Sequence, residues 1–342
     1  MHYSSIPTCY FPTSAVFVDD SRDFLLNFVL QLDEGLAYRV FDSPFHALDC
    51  IREKRCELDL LSQRCITEYT EAKNCPLTNH TVNLDLAAIH AEVYNPRRFS
   101  EISVVVVDYA MPGIDGLEFC RRIEDSSIKK ILLTGQADEA LAIQAFNEGL
   151  IDRYIKKSDP HAAELITKSI YELQYQYFLT MSDMITRMLS VSSPSCLQDK
   201  LFAEFFRHYC AEQRIEEYYL ADYSGSLLML DDDANVSFLI VKTEQDMRNY
   251  CDLAYDAGAS DDILEKLVNR EVLPCFWQTD ILAKKDVEWD KMIVPAQRFV
   301  SQHTYYYTHL KGNVLFELDK DKILSYHQYL EELDAEEILM AG

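Results

Sequence analysis

Asp19, Asp20, Asp108, Thr134 and Lys157 are the residues whose types and spacing could do chemistry together. Each lies at the end of a short apolar run. Ala15-Val16-Phe17-Val18 precedes the acidic pair, Val104–Val107 precedes Asp108, Ile131-Leu132-Leu133 precedes Thr134, and Tyr154-Ile155-Lys156 precedes Lys157. Three carboxylates brought together repel one another unless a cation neutralises them. Mg2+ suits such a set, because it is hard, takes oxygen ligands and keeps waters or substrate oxygens. A carboxylate beside that ion can act as a nucleophile toward phosphorus and form an aspartyl phosphate. Thr134 could offer a hydroxyl to a phosphoryl oxygen, and Lys157 a cation. Taken singly, each residue has a plainer reading: a solvated strand end, a turn threonine before Gly135, a surface lysine. Their succession at strand ends carries the argument.

The elements that must position these residues alternate between strand and helix, which favours an α/β fold: a doubly wound parallel sheet with helices on both faces. In such sheets, ligands bind beyond the carboxyl ends of the strands, where the strand order reverses. After the first strand, Phe24, Leu25, Phe28, Val29 and Leu32 recur at helical spacing, and Gly35 ends the helix. Ala37–Phe41 reads as a second strand, and Pro44 opens a helix. Residues 51–98 read as a charged helical hairpin, with Leu58, Leu61, Cys65 and Ile66 on one stripe, Leu84, Leu86, Ile89, Val93 and Tyr94 on another, and Asn74-Cys75-Pro76 as a breaker. The four consecutive valines at 104–107 suit a strand buried on both faces. Further elements are expected at 116–124 (helix), 130–134 (strand), 138–147 (helix) and 152–155 (strand). A long helix from 160, rich in Tyr171, Tyr175, Tyr177 and Phe178, runs on to about Leu189. Ser190–Ser195 has linker composition. Beyond it lie a helix at 197–213, an antiparallel meander over 217–241, helices at 244–257 and 260–269, a hairpin of 304–310 with 314–317, and a last helix at 319–334. The expected organisation is thus residues 1–180, a connecting helix and linker over 160–195, and an α+β domain with antiparallel strands over 196–342.

The segment Val107-Asp108-Tyr109-Ala110-Met111-Pro112-Gly113-Ile114-Asp115-Gly116-Leu117-Glu118 closely resembles the phosphoacceptor loop of response-regulator receivers. Asp19-Asp20, Leu133-Thr134-Gly135 and Tyr154-x-x-Lys157 fall where that family places its acidic pair, switch hydroxyl and aromatic-plus-lysine. The resemblance covers about residues 12–180 and implies a five-stranded, flavodoxin-like receiver. It implies Asp108 as phosphoacceptor. Asp19, Asp20, Asp108 and the Ala110 main-chain oxygen would be Mg2+ ligands, Lys157 a partner of Asp108 and later of the phosphoryl group, Thr134 the switch hydroxyl, and Tyr154 a switch residue that changes rotamer. Two departures stand out. Ser158 follows the lysine where the family usually has proline. Asp20 and Asp108 are about twice as far apart as usual, an excess matching 51–98; loops absorb such insertions cheaply, at ~0.6 kcal/mol per doubling of length. The whole layout is similar to a group of proteobacterial response regulators in quorum sensing whose output domain is uncharacterised. It implies a sensor histidine kinase or phosphotransfer protein as donor, phosphorylation-dependent homodimerisation, and no enzymatic activity beyond slow autodephosphorylation.

The bulk composition limits the rest. With 57 acidic and 32 basic residues among 342, the net charge is -25. Residues 190–342 alone hold 14 Lys/Arg and 29 Asp/Glu, and no basic recognition helix is evident. This argues against duplex binding, where Lys and Arg must replace counterions, although a DNA-binding regulator remains the usual output and so the first alternative. A nucleotide- or small-ligand-binding output is the second. Tyr305-Tyr306-Tyr307 and Tyr218-Tyr219 could stack bases, but in alternating strands they read first as core. Asp231–Asn235 lacks the glycine and distal glutamate of a calcium loop and reads as a solvated turn. Cys65, Cys75 and His80 could be drawn as a metal site, against the plainer reading of reduced thiols. The N-terminus has neither the basic start nor the apolar core of a secretory signal. No apolar run reaches the ~20 residues that span a bilayer, so a cytoplasmic location is expected.

Overall fold

The computed structural model describes residues 5–57, 66–70, 80–135, 139–189, 194–275, 289–313, 315 and 317–341. In chain order the first half contains β1 (Cys9–Tyr10), β2 (Ser14–Val18), α1 (Arg22–Val29), β3 (Tyr38–Phe41), α2 (Pro44–Glu57), β4 (Ile66–Thr70), β5 (His80–Leu84), α3 (Leu86–Ala91), β6 (Ile102–Asp108), α4 (Gly116–Arg122), β7 (Lys129–Thr134), α5 (Glu139–Asn147), β8 (Arg153–Lys156) and α6 (Ala162–Leu189). The second half contains α7 (Ser195–Gln198), α8 (Lys200–Gln213), β9 (Ile215–Leu220), β10 (Leu227–Asp231), β11 (Val236–Thr243), α9 (Glu244–Asp256), α10 (Asp261–Val268), β12 (Val272–Pro274), β13 (Ile293–Pro295), β14 (Gln297–Val300), β15 (Thr304–Lys311) and α11 (Tyr326–Ala341).

The chain divides into two compact units, neither of them contiguous. One comprises Tyr10–Asn83, Asn95–Ile185 and Tyr326–Gly342; the other comprises Met1–Cys9, Leu84–Tyr94 and Thr186–Ser325. The first is built on a five-stranded parallel sheet of order β3-β2-β6-β7-β8, with β2 pairing in parallel on both β3 and β6. This is the doubly wound, flavodoxin-like order, with its switch point between β2 and β6. All seven residues of β6 are buried, as a strand covered on both faces requires. Its valines alternate between two cores. Val105 and Val107 join Val16, Val18, Leu48, Leu117 and Leu132 on one face. Val104 and Val106 join Phe17, Leu25, Phe28, Ile131, Ile166 and Ile170 on the other.

The second unit carries most of a six-stranded sheet of order β1-β9-β10-β11-β15-β14, antiparallel from β9 to β14. The aromatic run in its edge region is core: Tyr305 and Tyr219 are fully buried, and Tyr218 and Tyr306 nearly so. Phe202 of α8 packs on Tyr305, and Phe205 on Tyr307 and Phe299. The acidic segment after β10 is a tight turn. The Asp231 carboxylate accepts from the Asp233 and Asn235 N–H groups, while Ala234 takes the left-handed conformation.

Several expected elements differ. The helical hairpin expected at 51–98 is a helix, α2, followed by a two-stranded β4–β5 sheet and the short helix α3. Ile66-Thr67-Glu68-Tyr69-Thr70 and His80-Thr81-Val82 are rich in β-branched and aromatic residues, which suit strands and resist the helical period. Leu58, Leu61, Cys65 and Cys75 lie outside the described residues. The helix expected at 197–213 is broken at Asp199, whose carboxylate caps α8 by accepting from the Leu201 and Phe202 N–H groups. The hairpin partner of β15 is β14, not 314–317; Val314 and Phe316 lie outside the described residues. The last helix begins at Tyr326 rather than 319, after a 3-10 turn at Lys320–Lys322.

That last helix belongs to the unit with the parallel sheet. Tyr326, Tyr329 and Leu333 are buried on one face, the spacing of an amphipathic helix. The Tyr326 hydroxyl donates to the Gly35 carbonyl (2.7 Å) and accepts from the Ala37 N–H (3.1 Å), just before β3. The Tyr329 hydroxyl meets Ser14 Oγ at 3.1 Å, and both rings pack on Phe99. Removing one hydroxyl leaves a buried N–H without its acceptor, a loss of about 1–3 kcal/mol. Tyr326→Phe is therefore expected to lower the unfolding free energy by about that amount in urea denaturation. An unchanged midpoint would mean that the helix is not docked in solution.

Candidate functional site

The parallel register decides which side chains meet. Val18 lies beside Val107, and Val107 beside Leu132, so β2, β6 and β7 end side by side. Asp19 and Asp20 follow the first of these strands, Asp108 closes the second and Thr134 the third. The Tyr109 N–H donates to the Leu133 carbonyl, and the Lys157 N–H to the Thr134 carbonyl, which brings the residue after β8 to the same edge. The loop after Asp108 turns sharply. The Gly116 N–H donates to the Tyr109 carbonyl (2.9 Å), and a Cβ at Gly116 would stand 2.4 Å from the Asp108 carbonyl oxygen. Only glycine permits this close approach. Gly113 in the same loop has φ +90°, and Asp115 caps α4 by accepting from the Glu118 N–H.

The structure brings together four of the residues expected at the site. Carboxylate oxygens of Asp19, Asp20 and Asp108 lie within 4.8 Å of one another. Asp19 is 1% exposed and Asp108 6%, whereas Asp20 is exposed. The Lys157 ammonium stands between the two buried acids, 2.5 Å from Asp19 Oδ2 and 2.8 Å from Asp108 Oδ1. The Ser21 N–H donates to Asp19 Oδ1. Burial pushes the Asp108 carboxyl above its ordinary pKa; Lys157 opposes this and Asp19 adds to it. Burial works against the Lys157 ammonium, yet its bonds to Asp108 and Asp19 hold it above the ordinary lysine value.

Thr134 is fully buried, and among the described residues its hydroxyl has no hydrogen-bond partner. A buried unpartnered hydroxyl is costly and is itself a sign of a missing acceptor. Ala110 lies in the loop between Asp108 and Gly116. Tyr154 is not in the cluster. It sits half-buried in β8 against Phe146 of α5, lining a groove of about 410 Å³ with Arg153, Leu165 and Ser169. Lys156 pairs outward with Glu139 at 2.9 Å. Among the described residues no peptide bond is cis, that between Lys157 and Ser158 included. Phe24, which the sequence marks only as an apolar position of a helix, is a further neighbour: its ring centroid lies 4.6 Å from the Lys157 ammonium.

The arrangement is a cage of hard oxygen donors with a resident ammonium at a sheet edge, able to hold a metal ion and to exchange charge with an incoming anion. Residues 74–169, which contain Asp108, Thr134 and Lys157, match the family model of the response regulator receiver domain. Over nearly the whole chain the protein is similar to a solved structure, the response regulator LqsR of Legionella pneumophila. The two are 66% identical, with 98% of this chain and 99% of that one covered and a TM-score of 0.85. The chain thus belongs to the response-regulator family of two-component systems. Among curated relatives, it is 44% identical over 64 residues to the C4-dicarboxylate transport transcriptional regulatory protein DctD of Pseudomonas aeruginosa. It is 35% identical over 68 residues to the transcriptional regulatory protein ResD of Bacillus subtilis. The chain matches only 14% and 28% of the lengths of these two proteins.

A metal ion held by this cage stabilises the folded state by mass action, ~1.4 kcal/mol at ten times its Kd. Because the Asp108 pKa is raised above 3.8, its contribution to stability is present below 3.8 and is lost as pH rises through the raised value. In metal-free buffer at neutral pH, Asp108→Asn is therefore expected to melt no lower than the parent protein. Added Mg2+ should raise the melting temperature of the parent but leave Asp108→Asn and Asp20→Asn unmoved. Equal Mg2+ shifts in all three proteins would place the ion elsewhere.

Proposed function

We propose that the protein accepts a phosphoryl group on Asp108 from a sensor histidine kinase or a phosphotransfer protein, and that the new charge is read out by the rest of the chain. The observation that carries this reading is the Lys157 ammonium lodged between Asp19 and Asp108, beside the unpartnered Thr134 hydroxyl. An Asp108 carboxylate oxygen attacks the donor's phosphorus. The bond from phosphorus to the donor's imidazole nitrogen breaks, and that nitrogen keeps the electron pair and takes up a proton from water. Asp19, Asp20, Asp108 and the Ala110 main-chain oxygen would hold Mg2+, which fits three close carboxylates. When bound, the ion neutralises charge on the donor and on the transferred group. Lys157 leaves Asp108 for the phosphoryl oxygens, and Thr134 gains the acceptor it lacks.

Tyr154 then follows Thr134. Its place in a groove between β8, α5 and the start of α6 makes that face the element that responds, a local charge change biasing a two-state surface. We infer that this response alters output contacts or homodimerisation in the cytoplasm, in a quorum-sensing pathway, without an enzymatic step in the output. Among the described residues no helix is long and apolar enough to cross a membrane. The strong negative charge of residues 190–342 supports a protein partner over nucleic acid. The domain reading that goes with this is a receiver over 1–180 and an output beginning at 196, joined by 160–195, with the last helix, α11, returning to the receiver's parallel-sheet unit.

Incubation with acetyl phosphate and Mg2+, followed by intact mass measurement, is expected to add one phosphoryl group to the parent protein and none to Asp108→Asn. Thr134→Ala should still be labelled but fail to change oligomeric state on labelling. Equal labelling of Asp108→Asn would remove Asp108 as the acceptor.

A further inference from the structure

The ammonium at the centre of the site has a third neighbour besides its two carboxylates. The Lys157 Nζ lies 4.6 Å from the centroid of the Phe24 ring, on whose negative face a cation is attracted. The ring is not a loose surface group. It stacks on Phe28 with centroids 5.4 Å apart and 15° between planes. Phe28 in turn packs on Phe17 of β2 at 5.6 Å. Ser21 ties the same parts together. Its N–H donates to Asp19 Oδ1 at 3.0 Å, and its hydroxyl, the N-cap of α1, accepts from the Phe24 N–H at 3.3 Å. The carboxylate and the ring that flank the lysine are thus set by one turn of backbone.

Most apolar residues at this point in a helix need only fill the core. Phe24 is half-buried, with Leu25 and Phe28 taking the fully buried positions. Lys157 is a long, flexible side chain whose ammonium water competes to solvate. Two carboxylates fix it by charge, but Asp108 is the group that is modified, so one of its two anchors is exchanged for the phosphoryl group on phosphorylation. A neutral third contact does not depend on which anion faces the lysine.

We propose that Phe24 is a positioning residue of the phosphoacceptor pocket: its ring face holds the Lys157 ammonium beside Asp108 and so sets the rate of phosphoryl uptake. This rests on the phosphoacceptor reading above. The ring acts through the lysine and touches no reacting atom. The loss of a contact of this kind slows uptake by roughly three- to ten-fold.

The test compares the full-length parent, Phe24→Leu and Phe24→Tyr, each labelled with acetyl phosphate and Mg2+, alongside NMR of the Lys157 ε-methylene in 13C-lysine protein. The parent and Phe24→Tyr are expected to share a ring-current-shifted ε-methylene signal and a similar uptake rate. Phe24→Leu should lose the shift and take up phosphate several-fold more slowly, with a far-UV spectrum like the parent's. Uptake and ε-methylene shift both unchanged in Phe24→Leu would overturn the proposal while leaving Asp108 as acceptor. Phe24→Tyr slowed as much as Phe24→Leu would also overturn it, since the ring face would then not be the cause. A parent protein that takes up no phosphoryl group would overturn the phosphoacceptor reading and this proposal with it.

Discussion

One ammonium between two buried carboxylates sets the terms for the parallel-sheet unit. Asp19 and Asp108 are almost wholly withdrawn from water, and removing charges from water is expensive unless close partners replace it. Lys157 provides that partner only if the strands carrying the three residues end at the same level. The register of β2 on β6, of β6 on β7 and of β7 on β8 achieves this, and the valines of β6 lock it by burying both faces of the strand. Gly116 follows from the same demand, because the loop leaving Asp108 must fold back until its backbone almost touches the Asp108 carbonyl. The result is a pocket in which one ammonium is held between two buried carboxylates.

Much of this was legible in the sequence, because short apolar runs ending in an acid, a threonine and a lysine are a pattern that a parallel sheet makes explicit. The five strands, the helix opened by Pro44 and the long helix from Ala162 carry strong local signals, and the pocket residues stand at their ends. Long-range placement was not legible. Nothing in Tyr326-His327-Gln328-Tyr329-Leu330 shows that this helix packs beside β3 and Ser14, 289 and 315 residues earlier. The three-residue strands β12 and β13 are too short to show a period. In the insertion, frequent charged residues mask the β-branched content of 66–70 and 80–84, so its strands are not evident from the sequence. Phe24 was legible only as an apolar position in a helix, since its role depends on where a lysine from the far end of the sheet comes to rest.

The unit built on the antiparallel sheet is a different physical object. Its core holds tilted aromatic pairs between α8 and β15 and a buried ion pair, Lys242 with Asp222 at 2.7 Å. The Asp222 carboxylate also accepts from the Ser224, Gly225 and Ser226 N–H groups, which offsets part of the cost of its burial. These tyrosines and charges are occupied by the fold itself.

The central claim is that a tetrahedral anion enters the pocket on Asp108, with a divalent ion and Lys157 as its counter-charges. Beryllofluoride, which coordinates a carboxylate oxygen as a phosphoryl mimic, allows this to be read by 19F NMR. The account predicts protein-bound fluorine signals that appear only with Mg2+ present, vanish in Asp108→Asn and shift in Lys157→Ala. Bound signals that persist without Mg2+ or without the Asp108 carboxylate would contradict it.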